Sequence, residues 1–248
     1  MKPALSVVTL VNDSVAYAIS RATLAAQHDA GELEWLPVEA DARGWNAAQG
    51  LNDGLERCRA EWAVCAHQDV LFPKGWWRGA QARLAELPED VGVVALVGVD
   101  EQGAFRGHVL DPHGHCRWGP LPAPVLGLDE HVVLVRTESA LRFDPHNPGF
   151  HCYGTDLALE ARRHGLGVFA IDAPVVHLSG GKKDARFEAA SRWLFEKWRG
   201  ECGGLLSTPS AILWDRKPGT LPRWLSARLA RRRSRAGRHA GPAPIGER

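Results

Sequence analysis

The stretch AVCAHQDVLFPKGWW, residues 63–77, decides how the chain is read. Ala63 to Ala66 is a run of small and apolar residues, as in a strand buried on both faces of a parallel sheet. It runs into His67-Gln68-Asp69, and the chain turns apolar again at once with Val70-Leu71-Phe72 before Pro73 and Gly75. A solvated loop would stay polar for longer. Ligands of open α/β sheets bind in the crevice beyond the carboxyl ends of the strands. Three polar side chains in a row at such an end therefore mark a candidate site.

The same pattern recurs on either side. LSVVTLV (5–11) is a continuous β-rich run that meets Asn12, and EWLPVEAD (34–41) is a second short strand ending in Glu39 and Asp41. Asn46 with Gln49 three residues on has the spacing of an N-cap with a capping box. Leu51, Leu55, Cys58 and Trp62 then form the apolar stripe of a helix. Residues 75–87 suit a further helix, and VGVVALVGV (91–99) one further buried strand. Residues 101–128, rich in Gly, Pro and His, read as an irregular excursion. HVVLVR (131–136) is a strand, Asp156 to His164 a helix stopped by Gly165, and GVFAIDAPVVH (167–177) another strand. Residues 184–199 carry Phe187, Ala190, Leu194 and Trp198 on one helical face. The β-α-β-α-β order predicts an α/β, Rossmann-like fold with a mostly parallel central sheet flanked by helices.

The composition, 45% hydrophobic and 24% charged over 248 residues, is that of an ordinary globular chain. The net charge of +1 conceals an asymmetry. From Arg216 onward there are ten Lys/Arg and one acid, leaving 20 basic against 28 acidic side chains in residues 1–215 (30 less 10, and 29 less 1). The expected division is one domain over 1–214 and a basic, partly disordered tail over 215–248. Trp224, Leu225 and Leu229 among the arginines give that tail the pattern of a helix able to lie on an anionic membrane surface. A solvated tail is the alternative. No nucleic-acid-binding fold accompanies the arginines, so nucleic acid is not an expected partner. Five cysteines without a CxxC pair read as reduced, which favours a cytoplasmic location. No signal peptide and no 18-residue apolar span are expected. His113, His115 and Cys116 in PHGHC have ligand-like spacing, but a polar loop suits them better than a zinc site. Trp76 and Trp77 suit packing, while Trp118 in a Gly/Pro loop is a candidate for stacking on a sugar ring.

Two segments taken together, AHQDVLFPKGW and GFHCYGTD…VVHLSGG, resemble the family-two glycosyltransferases of the glycosyltransferase-A fold. The likeness is to the bacterial branch whose DxD-like motif reads HQD. It spans roughly residues 5–181 and includes the Asn52-Asp53-Gly54 element and the strand after LGLDE. The resemblance implies a metal-dependent, inverting transfer of a hexosyl group from a nucleotide-diphosphate sugar, UDP-linked by preference, to a glycan or lipid-linked hydroxyl in polysaccharide biosynthesis. It places a divalent metal, Mn²⁺ rather than Mg²⁺, on Asp69 and His177. The general base falls on Asp156, preceded by Thr155 where many members carry Glu. Donor contacts fall on Val11, Asn12, Glu39, Asn46, Asn52, His67 and Gln68, with Trp118, Asp129, His151 and Tyr153 on the acceptor side. A catalytically silent nucleotide- or glycan-binding module on the same fold is the alternative. A nucleotidyltransferase is disfavoured, because LVNDSVAY has no Gly-rich basic loop after the first strand.

Overall fold

The structure is a computed structural model that describes residues 3–27, 32–181 and 183–214. The basic tail expected over 215–248, with its proposed membrane contact, lies outside the described residues. In chain order the strands are β1 (Leu5–Leu10), β2 (Leu33–Val38), β3 (Trp62–Ala66), β4 (Val70–Leu71), β5 (Val91–Ala95), β6 (Val97–Val99), β7 (Phe105–Asp111) and β8 (Gly114–Trp118). They continue with β9 (Ala123–Pro124), β10 (Gly127–Leu128), β11 (Val132–Arg136), β12 (Gly167–Ala170), β13 (Val176–His177), β14 (Leu205–Ser207) and β15 (Ile212–Trp214). The helices are α1 (Ser14–Ala25), α2 (Ala47–Arg57), α3 (Trp76–Leu84), α4 (Tyr153–Arg163) and α5 (Ala185–Trp198).

The main sheet runs β2-β1-β3-β11-β5-β12-β9. β1, β2, β3, β5 and β12 point one way, and β11 and β9 the other. Strict alternation along these strands divides the core in two. Val8, Ala63, Cys65, Val93 and Val133 face α2 and α4 on one side. Val7, Val64, Val94 and Leu134 face Leu24 of α1 and Trp76, Trp77 and Ala80 of α3 on the other. Side chains on both faces are buried, which is why these strands read as unbroken apolar runs.

The fold departs from the sequence expectations at three places. Residues 91–99 are not one strand: β5 pairs with β11 in the main sheet, whereas β6 pairs with β7 and β10 in a second sheet. Every residue from 91 to 99 is buried, so no polar break announces the crossover at Leu96. The 101–128 segment is also more regular than its composition suggests. β7 and β8 form an antiparallel hairpin closed by the Asp111–Gly114 pair, with Gly114 at φ +116°. Residues 167–177 likewise split into β12 and β13, with Pro174, which has no N–H to donate, between them.

Helix α2 sits unusually close to β1. A Cβ at Gly54 would lie 2.2 Å from Val8 Cγ1, and one at Gly50 would lie 2.7 Å from Leu10 Cδ2. The Gly54→Ala variant gains helix propensity, about 1 kcal/mol, but drives a methyl into a packed valine, at about 1–3 kcal/mol. Overpacking is expected to win, and a lowered melting temperature by calorimetry checks it. An unchanged or raised value would mean that α2 can slide away from β1.

Candidate functional site

The carboxyl ends of β1 and β3 open onto a cavity of about 370 Å³ lined by Val11, Asn12, Asp41, His67, Gln68 and Asp69, with Phe150, Tyr153 and Ser179 closing one side. The loop after β1 is fixed by Gln68. Its Oε1 accepts the backbone N–H groups of Asn12 and Asp13, each at 2.9 Å. Asp13 in turn caps α1 by accepting from Val15 and Ala16. Asn12 reaches across with its Nδ2, 3.3 Å from Asp41 Oδ2. Gln68 thus shapes the crevice by holding a neighbouring loop.

His67, Asp69 and His177, 110 residues apart along the chain at the extremes, converge at one end of this cavity. β13 makes this possible: it pairs antiparallel with β4, setting His177 against Val70. His67 Nδ1 stands 3.4 Å from His177 Nε2, and His177 Nε2 stands 3.5 Å from Asp69 Oδ1. All three ligand atoms lie within 4.8 Å of one another. Bonds of roughly 2.0–2.2 Å to a common ion would put neighbouring ligands about 3 Å apart. The observed separations are long for hydrogen bonds and need only a small inward movement to hold a cation.

The electrostatics fit that use. Burial, then the adjacent His177 and His131, push His67 down to about 4, so at neutral pH its ring is uncharged and offers a lone pair. Burial alone would raise Asp69, but hydrogen bonds from His177 and Ser179 hold its carboxyl well below the usual range. Burial would likewise lower His177, and Asp69 more than reverses this. The other nitrogen of His67, Nε2, meets the Tyr153 hydroxyl at 3.1 Å, which fixes the ring. Behind them His131, 2% exposed, gives Nδ1 to Asp129 at 2.6 Å and lies against the His177 ring.

Several residues expected at the site are engaged elsewhere. Asn46 does form its capping box with Gln49, and its Nδ2 donates to the carbonyls of Pro145 and Asn147. Asn52 exchanges two hydrogen bonds with the backbone of Phe143. Both pin the 141–149 loop to α2 and do not line the cavity. Glu39 is exposed and outside the lining, where Asp41 stands instead. Trp118 stacks on Phe105, and His151 packs edge-on against Phe187 of α5. Neither reaches the cavity, whereas Tyr153 does. Trp76 and Trp77 are core residues. In the PHGHC segment, His115 points away from the core and meets His108, while Cys116 packs into the core, so the two cannot share an ion.

The largest correction concerns Asp156. α4 begins at Tyr153, one turn earlier than expected, after Cys152 in a left-handed conformation. Asp156 is therefore in the fourth helical position and only 2% exposed. Its carboxylate accepts from Trp198 Nε1 at 2.6 Å and pairs with Lys197 Nζ at 2.8 Å, both on α5. Burial raises its pKa, which Lys197 and Trp198 only partly oppose, so the helix dipole does not make it an exposed, strongly ionised group. Asp156 is not among the residues lining the cavity.

No protein-family model matches the chain. A relative from Fuscovulum blasticum, described as ATP synthase subunits region ORF 6, is 27% identical over 175 residues, 65% of this chain and 70% of the relative. The chain is also similar to several solved structures. One is the mannosyltransferase PcManGT from Pyrobaculum calidifontis in complex with GDP-Man and Mn²⁺, at 14% identity and a TM-score of 0.55 over 94% of this chain and 70% of that one. Another is GalNAc-T7 with UDP, GalNAc and Mn²⁺, at 9% identity and 0.58 over 82% and 49%. TarS of S. aureus follows at 13% and 0.51 over 80% and 40%. At these identities the likeness establishes the fold: this chain has the glycosyltransferase-A architecture, a mixed α/β sheet flanked by helices.

Proposed function

We propose that the chain is a metal-dependent glycosyltransferase that takes a sugar from a nucleotide-diphosphate donor and passes it, with inversion, to a hydroxyl acceptor. The observation that carries the proposal is the convergence of His67, Asp69 and His177, the first two lining a 370 Å³ cavity beyond the ends of β1 and β3. Two imidazole nitrogens and one carboxylate oxygen suit Mn²⁺ better than Mg²⁺, which prefers an all-oxygen shell. A divalent ion there would neutralise charge on a diphosphate leaving group.

The chain's own residues would do the rest. Gln68 holds the loop bearing Asn12 in place, and Asp41 presents a carboxylate able to accept N–H groups from a nucleobase or hydroxyls from a ribose. Phe150 and Tyr153 wall off the side away from β1. A uridine diphosphate sugar is the donor expected from the resemblance, and the acceptor is expected to be a glycan or a lipid-linked glycan.

The test is calorimetric titration of UDP and GDP into the protein with and without Mn²⁺. Binding that requires the metal, with a raised melting temperature in proportion to occupancy, is the expected result. Equal binding with and without Mn²⁺ would remove the metal from the proposal, and no binding of either nucleotide would remove the donor.

A further inference from the structure

Asp156 is tied to α5, so the transferase reading needs another group to receive the acceptor's proton. Resting on that reading, the geometry points to Glu130 as the general base. Glu130 stands between β10 and β11 at the amino end of α4. Its Oε1 accepts from the Gly154 N–H at 3.1 Å, and the N–H groups of Cys152 and Tyr153 also support the carboxyl. The space it fills exists because residue 154 is glycine: a Cβ there would lie 2.9 Å from Glu130 Cγ. The carboxyl is thus held by the start of α4, and the residue as a whole is half-buried. No cation pairs with it among the described residues.

Its neighbours connect it to the proposed metal centre at one remove. The next residue, His131, accepts the His67 backbone N–H at 2.9 Å, which extends the β3–β11 pairing one step past Ala66. The residue it supports on α4, Tyr153, lines the cavity and meets His67 Nε2. Glu130 does not itself line the cavity. The β3–β11 pairing beside it and the start of α4 that it supports adjoin His67 and Tyr153, which do. They lie on the side of β3 away from β1, and in this scheme the acceptor hydroxyl approaches from there. In the step itself the acceptor oxygen bonds to the anomeric carbon. The bond from that carbon to the diphosphate oxygen breaks, the electron pair leaves with the nucleoside diphosphate, and the hydroxyl proton passes to the Glu130 carboxylate.

Burial first, and Asp129 beside it, push the Glu130 carboxyl up to about 8 against the pull of the α4 N–H groups. A carboxylate of that basicity takes a proton far more readily than an ordinary one while remaining partly ionised near neutrality. The titratable groups facing it are Asp129 on its own segment and Cys152 and Tyr153 on α4. Despite burial, His131 keeps Asp129 ionised. Burial holds Cys152 up at about 12 and Tyr153 well above its ordinary value, so neither ionises in this range.

The test compares wild type with Glu130→Gln and Glu130→Asp, using UDP-glucose and GDP-mannose with Mn²⁺ and water as the acceptor. Three readouts are taken: nucleoside diphosphate released per folded molecule, Mn²⁺-dependent affinity for UDP and GDP, and melting temperature from pH 5 to 9. Glu130→Gln is expected to keep the affinity and lose about 10²- to 10⁴-fold in turnover, together with the rise in rate toward pH 8. Glu130→Asp is expected to restore part of both. A folded-state pKa above the unfolded one stabilises most at low pH, and that benefit fades between about 4.5 and 8 as pH rises. Wild type should therefore lose melting temperature against Glu130→Gln across this window. A Glu130→Gln enzyme within fivefold of an active wild type overturns the assignment and leaves the transferase reading standing. Wild type that binds donor without releasing any diphosphate overturns both, and wild type that binds neither nucleotide overturns the reading first.

Discussion

Asp69→Ala is expected to abolish Mn²⁺-dependent binding of a nucleoside diphosphate, with some loss of melting temperature in the metal-free protein because the hydrogen bonds from His177 and Ser179 go with the carboxylate. Altering a group behind a metal ligand typically costs 10–100-fold in affinity, so deleting the carboxylate ligand should cost about 100-fold or more. His177→Ala should weaken the same binding, because His177 Nε2 and Asp69 Oδ1 face one point from two strands. The two residues are far apart in sequence, so a shared loss would show that β13 brings them together as described. Calorimetry of UDP and GDP with Mn²⁺ reads both variants. Unchanged metal-dependent binding in Asp69→Ala would sink the metal assignment.

Lys197→Ala should be strongly destabilising. Lys197 Nζ bridges Asp144 and Asp156 at 2.8 Å each, and the same ammonium lies over the rings of Trp193 and Trp198 at 5.1 and 5.2 Å. Removing it leaves the Asp156 carboxylate buried without a cation, at a cost of about 3–5 kcal/mol. Asp156→Ala should cost less, about 1–3 kcal/mol. It leaves an indole N–H unpaired, while Lys197 keeps Asp144. For both, turnover per folded molecule should stay within a few-fold of wild type. Denaturant unfolding and diphosphate release on the same samples check this. A stable Asp156→Ala protein with turnover lowered 100-fold would return Asp156 to the chemistry and count against Glu130.

These two variants mark where the sequence could be read and where it could not. His67-Gln68-Asp69 was legible because a buried strand, a polar triplet and a return to apolar residues are consecutive in the chain. Continuous apolar runs likewise located β1, β3 and β11, an apolar stripe located α2, and the Asn46 capping box depends on residues only three apart. Asp156 was misleading because the direction of its carboxylate depends on α5, about 40 residues away. An acid in the first turn looks the same whether it faces a ligand or a lysine. Asn46 and Asn52 were hidden in the same way, since their partners are carbonyls of the 141–149 loop and carbonyls leave no mark in a sequence. Glu130 gave no signal at all. Its position depends on Gly154 having no side chain, and a glycine at a helix start has many possible reasons.

The contact between His67 and Tyr153 has a consequence for how the two halves of the crevice could be altered. One imidazole faces the proposed cation with Nδ1 and the first residue of α4 with Nε2. His67→Asp would still offer an oxygen to a metal, but it is too short to touch the phenol as well. Tyr153, buried and packed edge-on against Phe143, would keep its place but lose its hydroxyl's partner at the start of the helix that supports Glu130. In the proposed roles, one phenol joins the metal-side imidazole to the helix start that supports Glu130, so a substitution at His67 would reach Glu130 without touching it.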